Sequence, residues 1–139
     1  MQYKRFETEL IVRPDDIDMN NHVHNSKYLD YVLAARYDQM GRCYGMAMNE
    51  FITRGYSWYQ KLWHIEYKRA IELTDRVIVR TWIDSFEKAD VRVDFEILRG
   101  TPLKVSADGY FVSTLIDMKT GRATPIPDWI IQHYTKHVE

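Results

Sequence analysis

Between residues 56 and 118 the chain is built of four stretches rich in β-branched and aromatic side chains, at 56–67, 76–86, 91–99 and 104–118. The polar clusters ELTD, EKAD and RGTP lie between them, so each stretch reads as a strand closed by a turn. In the third, Val91, Val93, Phe95 and Ile97 point one way and Arg92, Asp94 and Glu96 the other, the alternation of a half-buried antiparallel strand. Its polar face is left for water or a partner. Residues 3–13 alternate in the same way and run into a polar turn cluster at 14–21, which predicts one more strand ahead of the four.

The pattern changes at YLDYVLAARYDQM, where the apolar residues recur at helical spacing. Tyr28, Val32 and Ala35 make one stripe and Leu29, Leu33 and Met40 another. A helix over 26–44 is expected, capped by the side chain of Asn25 or Ser26 and closed near Gly41 to Gly45. Two apolar stripes predict burial on several sides, and since only one can face the helix's own sheet, the other should meet a neighbouring chain. Pro125 and Pro127 precede DWIIQHYTKH, a short C-terminal helix with Asp128 near its start. Strand, long helix and four strands predict one α+β domain over 1–139, an antiparallel sheet of five strands wrapping a central helix.

Composition narrows the function classes. The 139 residues, 45% of them hydrophobic, suffice for one core and fall short of two. A net charge of -1 lacks the basic footprint of a nucleic-acid binder. No apolar run reaches the roughly 20 residues of a membrane span. The N-terminus MQYKRFETEL has no apolar leader core and Cys43 has no second cysteine to pair with, so the expected compartment is the cytoplasm. Cys43 also lacks a sequence neighbour that would activate its thiolate, and reads as inert.

Residues 12–36, VRPDDIDMNNHVHNSKYLDYVLAAR, resemble the signature of the 4-hydroxybenzoyl-CoA thioesterase-like branch of the hotdog superfamily. Asp16, Asp18, His22, Val23, Asn25, Tyr28, Leu29, Ala35 and Arg36 fall in register with it. HIEYKRAIELTDRVIV at 64–79 and GYFVSTLIDMKTGRATPIP at 109–127 extend the likeness over nearly the whole chain. The resemblance implies a hotdog fold and an acyl-CoA thioesterase, with Asp18 beside the substrate thioester as nucleophile or general base. It also implies edge-to-edge pairing of sheets, giving a homodimer or a dimer of dimers with active sites at the interface. Three positions depart from the pattern: Asn21 stands where many relatives have glycine, His24 where asparagine is frequent, and Leu33, three before Arg36, where glutamate is common.

The chemistry of the residues agrees with that placement. A thioester needs a nucleophile at its carbonyl carbon and donors at its oxygen, where negative charge develops. The first amides of a helix have no intrahelical acceptor, which makes the N–H of Asn25 the oxyanion donor. Three aspartates ahead of a helix can also be turn formers, the role assigned to Asp16. His22 can orient Asp18, line the acyl pocket or simply bond backbone, and Tyr28 can pack the core or line the substrate channel. Lys68, Arg69 and Lys88 can meet CoA phosphates or be plain solvated surface.

No metal or cofactor is expected. Asp16, Asp18 and Asn20 match the opening of an EF-hand, but Asn21 and Lys27 occupy the glycine and bidentate-glutamate positions. His22 and His24 point apart in an extended segment, which is awkward for zinc. Three functions remain: hydrolysis of acyl-CoA, hydrolysis of an acyl group on an acyl carrier protein, and a non-catalytic acyl-CoA-binding module.

Overall fold

The computed structural model describes residues 3–135. Strand β1, Phe6–Ile11, is followed by a single 3-10 turn, Pro14–Asp16, and helix α1, Asn25–Arg42. A short helix α2, Met48–Thr53, leads into β2, Tyr56–Tyr67. Then come β3, Arg76–Glu87, β4, Asp90–Arg99, and β5, Lys104–Asp117. A two-residue strand β6, Arg122–Ala123, and helix α3, Asp128–Thr135, complete the order.

The sheet is antiparallel in the order β1-β3-β4-β5-β2, with β6 beside the end of β5, and it curls around α1. In β4 the side chains of Val91, Val93, Phe95 and Ile97 are buried while their neighbours Arg92, Asp94 and Glu96 are half-buried, as the alternation predicts. Val32 and Ala35 of α1 share one core with Val77, Val79, Phe95, Ile97 and Leu115 of the sheet. Each large apolar side chain buried there contributes about 1.5–3 kcal/mol.

A polar seam locks the helix in register. Gln39, fully buried, donates to Thr8 Oγ1 at 3.0 Å and to the Val79 carbonyl at 3.4 Å, and accepts the Thr81 hydroxyl. Arg36 Nη1 also donates to Thr81, at 3.1 Å. The helix therefore rests on β1, β3 and β4, whereas β2 is held by β5 and α2.

Within the single chain Tyr28, Val32 and Ala35 of α1 are covered by the sheet, while in the second stripe Met40 is buried and Leu33 is 38% exposed. Three expectations change. Gly41 lies inside α1, and only Gly45, at φ +73, takes the left-handed conformation expected of the stop. Neither Asn25 nor Ser26 caps the helix; the cap is His24, which makes no side-chain bond there. The sheet gains β6 as a sixth strand, and α2 was not anticipated. The C-terminal helix is present to Thr135, its expected end at 137 lying outside the described residues. Among the described residues no helix is long and apolar enough to cross a membrane.

Gly109 sits in β5 opposite Ile65 of β2 and Phe95 of β4, and a Cβ there would stand 1.9 Å from the His64 carbonyl oxygen. Backbone cannot yield as a flexible side chain can. Gly109→Ala should therefore destabilise the fold by roughly 1–3 kcal/mol. Thermal melting checks it, and an unchanged midpoint would show that the two strands separate freely.

Candidate active site

The polar segment between β1 and α1 is fixed by its two inner aspartates, which do different work. Asp16 is buried, and its Oδ2 accepts the Tyr31 hydroxyl at 2.7 Å and the Arg13 amide at 3.1 Å. Its carbonyl takes the His24 amide at 2.9 Å. Burial, and after it the Asp16 carboxylate, push the Tyr31 phenol far above its usual range, so it stays a donor. Asp16 thus pins both ends of the segment to the second turn of α1.

Asp18 is oriented from within the turn. Its Oδ1 accepts the Asn20 amide at 2.8 Å and the His22 amide at 3.0 Å, while its own amide bonds the His22 carbonyl. Oδ2 has no hydrogen-bond partner among the described residues. The His22 amide, and to a lesser degree that of Asn20, lowers the pKa of the carboxyl against a smaller opposing cost of desolvation, so the anion prevails at neutral pH. Asn21 completes the turn at φ 61, the left-handed conformation that asparagine tolerates. Its side chain reaches across to Glu72 and to the Leu73 amide.

Ile17 and Val23 form an antiparallel bridge, and the Val23 amide bonds the Ile71 carbonyl, so the chain enters α1 extended. That is why the helix begins at Asn25 with His24 as a bare cap. The uncapped start leaves helix amides and the positive end of the macrodipole facing outward.

Asp18, His22, Asn25 and Tyr28 line one cleft of about 540 Å³, closed on the other side by Tyr67, Lys68, Arg69 and Ala70. This volume lies within the ~300–1,000 Å³ of small-molecule sites. Tyr28 is both core and wall. Its ring meets Tyr67 edge-on at 5.0 Å, and its hydroxyl lies 3.4 Å from Ser106 Oγ. The Tyr67 hydroxyl donates to the Asn25 carbonyl at 3.2 Å, tying β2 to the first turn of α1. Lys68 pairs with Asp108 at 2.8 Å and Arg69 Nη1 bonds the Val105 carbonyl at 2.8 Å, both on exposed side chains. These are bonds a ligand anion can replace.

Six of the seven candidate residues therefore meet at one place. Lys88 does not. It occupies the turn between β3 and β4 at φ 56, its carbonyl holding the Ile126 amide. From there to the Ile97–Ala107 pairing, next to the cleft, is seven residues of β4, roughly 23 Å at strand rise. Sequence reasoning placed basic residues by type and could not see that this one lies at the far end of the hairpin. It also missed Tyr67 as a wall. Among the described residues no group of three His, Cys, Asp or Glu side chains is placed to hold a metal ion.

The family model described as Thioesterase-like superfamily matches residues 12–133. Among curated proteins none matches the chain in sequence. Solved structures share its fold. A DHNA-CoA thioesterase from Staphylococcus aureus superposes with a TM-score of 0.82 at 21% identity, covering 98% of this chain and 91% of that one. A thioesterase complexed with coenzyme A and Zn from Thermus thermophilus does so with 0.79 at 22% identity, covering 94% and 91%. A 1,4-dihydroxy-2-naphthoyl-CoA thioesterase from Synechocystis gives 0.83 at 17%, covering 94% and 96%.

The two aspartates should separate in stability. Asp16→Asn removes a charged acceptor from buried donors and should cost about 1–3 kcal/mol. Asp18→Asn keeps an Oδ1 for the same two amides and should melt close to the parent. Denaturation of the two variants side by side checks this; equal losses would mean that both carboxylates are structural.

Proposed function

The chain belongs to the thioesterase-like superfamily, and on that premise we propose that it hydrolyses the thioester of an acyl-CoA to the free acid and CoA, with Asp18 as nucleophile or general base. The observation that carries this is the meeting of an ionised carboxylate and an uncapped helix start on one cleft. In this reading the acyl oxygen lies against the Asn25 N–H, where the helix amides stabilise the charge of the tetrahedral intermediate. Asp18 Oδ2 then faces the carbonyl carbon or the water that attacks it. One water is consumed: a C–O bond forms, the C–S bond breaks, and the thiolate leaves to be protonated.

Lys68 and Arg69 border the same cleft and supply cationic donors for CoA phosphates, exchanging their present partners for the ligand. Tyr28 and His22 line the approach of the pantetheine arm. No cofactor is required.

Asp18→Asn removes the charge and keeps the turn. Turnover of acyl-CoA, followed by thiol release over a range of chain lengths, should fall by at least about a hundredfold. CoA binding should persist. Near-normal turnover in the folded variant would falsify the assignment of Asp18, and no thiol release from the parent with any acyl-CoA would leave a binding module.

The same reading takes the working unit as a homodimer or a dimer of dimers. The outer edge of β2, unpaired among the described residues, belongs to a strand that carries Tyr59, Leu62 and Tyr67, which are 63%, 47% and 43% exposed. A bare strand edge with apolar side chains is a template for pairing. Leu33 and Tyr37 on the open side of α1 add to the apolar surface. A twofold pairing along β2 satisfies both copies with one patch and brings residues of the second chain to each cleft. Light scattering at micromolar concentration should give at least twice the 16.7 kDa of the chain. A stable, fully active monomer contradicts it.

A further inference from the structure

Beyond the cleft, a second and narrower cavity of about 60 Å³ lies between the middle of α1 and the sheet. Its walls are mostly apolar, among them Met40, Trp58, Val93 and Phe111; Gln60 and Ser113 add neutral polar groups, and Arg36 is the charged member. Arg36 is 8% exposed and carries a permanent charge with five donors. Its contacts are few. Nη1 donates to Thr81 Oγ1 at 3.1 Å, and the guanidinium lies 5.2 Å from the centre of the Tyr44 ring. No carboxylate among the described residues lies within ion-pair distance of it.

A buried guanidinium without an anion is costly, since breaking a buried pair by removing one partner destabilises by about 3–5 kcal/mol. The surrounding residues do not supply the missing charge. Three residues earlier on α1, where a side chain faces Arg36 across one turn, the chain has Leu33, which lines the same cavity. Asp38 is committed to Thr8 and Arg42. Tyr134 also lines the cavity, but burial raises its phenol far above the usual range despite the pull of Arg36, so it remains neutral.

The cavity and the cleft lie along the same two elements, α1 and β2. The first turn of α1 borders the cleft, and Arg36 lies eleven residues on, about 16 Å along the axis. β2 runs beside both, with Tyr67 at the cleft and Trp58 and Gln60 at the cavity. One water needs roughly 10–15 Å³ of such space, so this cavity takes a group of a few heavy atoms and not a whole acyl chain. We infer that Arg36 receives the far end of the acyl group, and that this end is a carboxylate: the substrates are CoA thioesters of dicarboxylic acids. The inference rests on the acyl-CoA reading above. It adds to that reading the chemical class of the acyl group.

The test compares chain-matched pairs, adipoyl- with hexanoyl-CoA, suberoyl- with octanoyl-CoA and sebacoyl- with decanoyl-CoA, on the full chain. At the length that spans cleft to cavity, the dicarboxylic member should be preferred in kcat/KM by at least about tenfold, as a charge-assisted bond allows. Arg36→Gln should abolish that preference. Leu33→Glu, at a 38% exposed site, keeps Arg36 but gives it an internal carboxylate, and should abolish the preference too even where Arg36→Gln fails to fold. A parent ratio near one at every length, or a preference that survives in the folded variants, overturns the inference while leaving hydrolysis intact. If no thioester is cleaved, the acyl-CoA reading fails on its own. The carboxylate site is then read from melting with free sebacic against free decanoic acid: a larger stabilisation by the diacid, lost in Leu33→Glu, upholds it, and equal shifts overturn it.

Discussion

One helix cannot cover this sheet. Five strands at about 4.8 Å spacing put the outer strands about 19 Å apart, whereas a helix with its side chains is about 10–12 Å across. The polar seam of Gln39, Arg36 and Thr81 decides which part is covered, because it fastens α1 over β1 and β3. The β5 and β2 side of the sheet is left to α2, to the apolar cavity and to an exposed strand edge. Cavity, cleft and edge are thus consequences of a single mismatch in width. Curling of the sheet reduces it without removing it.

The second constraint is where the helix begins. A start capped by its own asparagine or serine would engage its first amides with that side chain. Here Asp16 and the Ile17–Val23 bridge hold the preceding segment extended, so tertiary bonds do what a cap would do and the helix end stays open. Asp18 gains from the same arrangement. The two amides that lower its pKa also fix its orientation, and they leave Oδ2 without a hydrogen-bond partner among the described residues. In the proposed reading, structural and chemical roles are divided between two carboxylates two residues apart.

Much of this could be read from the residues. β2 runs over the residues expected of it, and β3, β4 and β5 end within one residue of expectation, because long β-forming stretches bounded by ELTD, EKAD and RGTP leave little freedom. Asp18, His22, Asn25 and Tyr28 stand out through the motif, and Lys68 and Arg69, picked by charge alone, line the same cleft. What failed has physical causes. Local cap chemistry at Asn25 and Ser26 lost to the Asp16 pin, which needs Tyr31 fifteen residues away. α2 is six residues long and begins at Met48 after Ala47, a cap residue that makes no side-chain bond, so it carries no start signal. Lys88 was grouped with Lys68 and Arg69 by charge, although a hairpin separates them.

Arg36 shows how a departure from pattern gains meaning only in three dimensions. In the sequence, Leu33 is a member of an apolar stripe that stands where a carboxylate is common. In the fold, the same residue and Arg36 line one cavity, with Thr81 as the single hydrogen-bond acceptor of the guanidinium among the described residues. A salt bridge within α1 would have filled that space and neutralised the charge; leucine leaves both the space and the charge in place. Core positions that tolerate such a loss are uncommon, because an uncompensated buried cation lowers stability in the unliganded chain. The cost is offset only when an anion arrives from outside, which makes the site a binding determinant and ties stability to occupancy. An apolar wall around the cation strengthens that tie, since exclusion of water raises the electrostatic worth of each bond the anion makes.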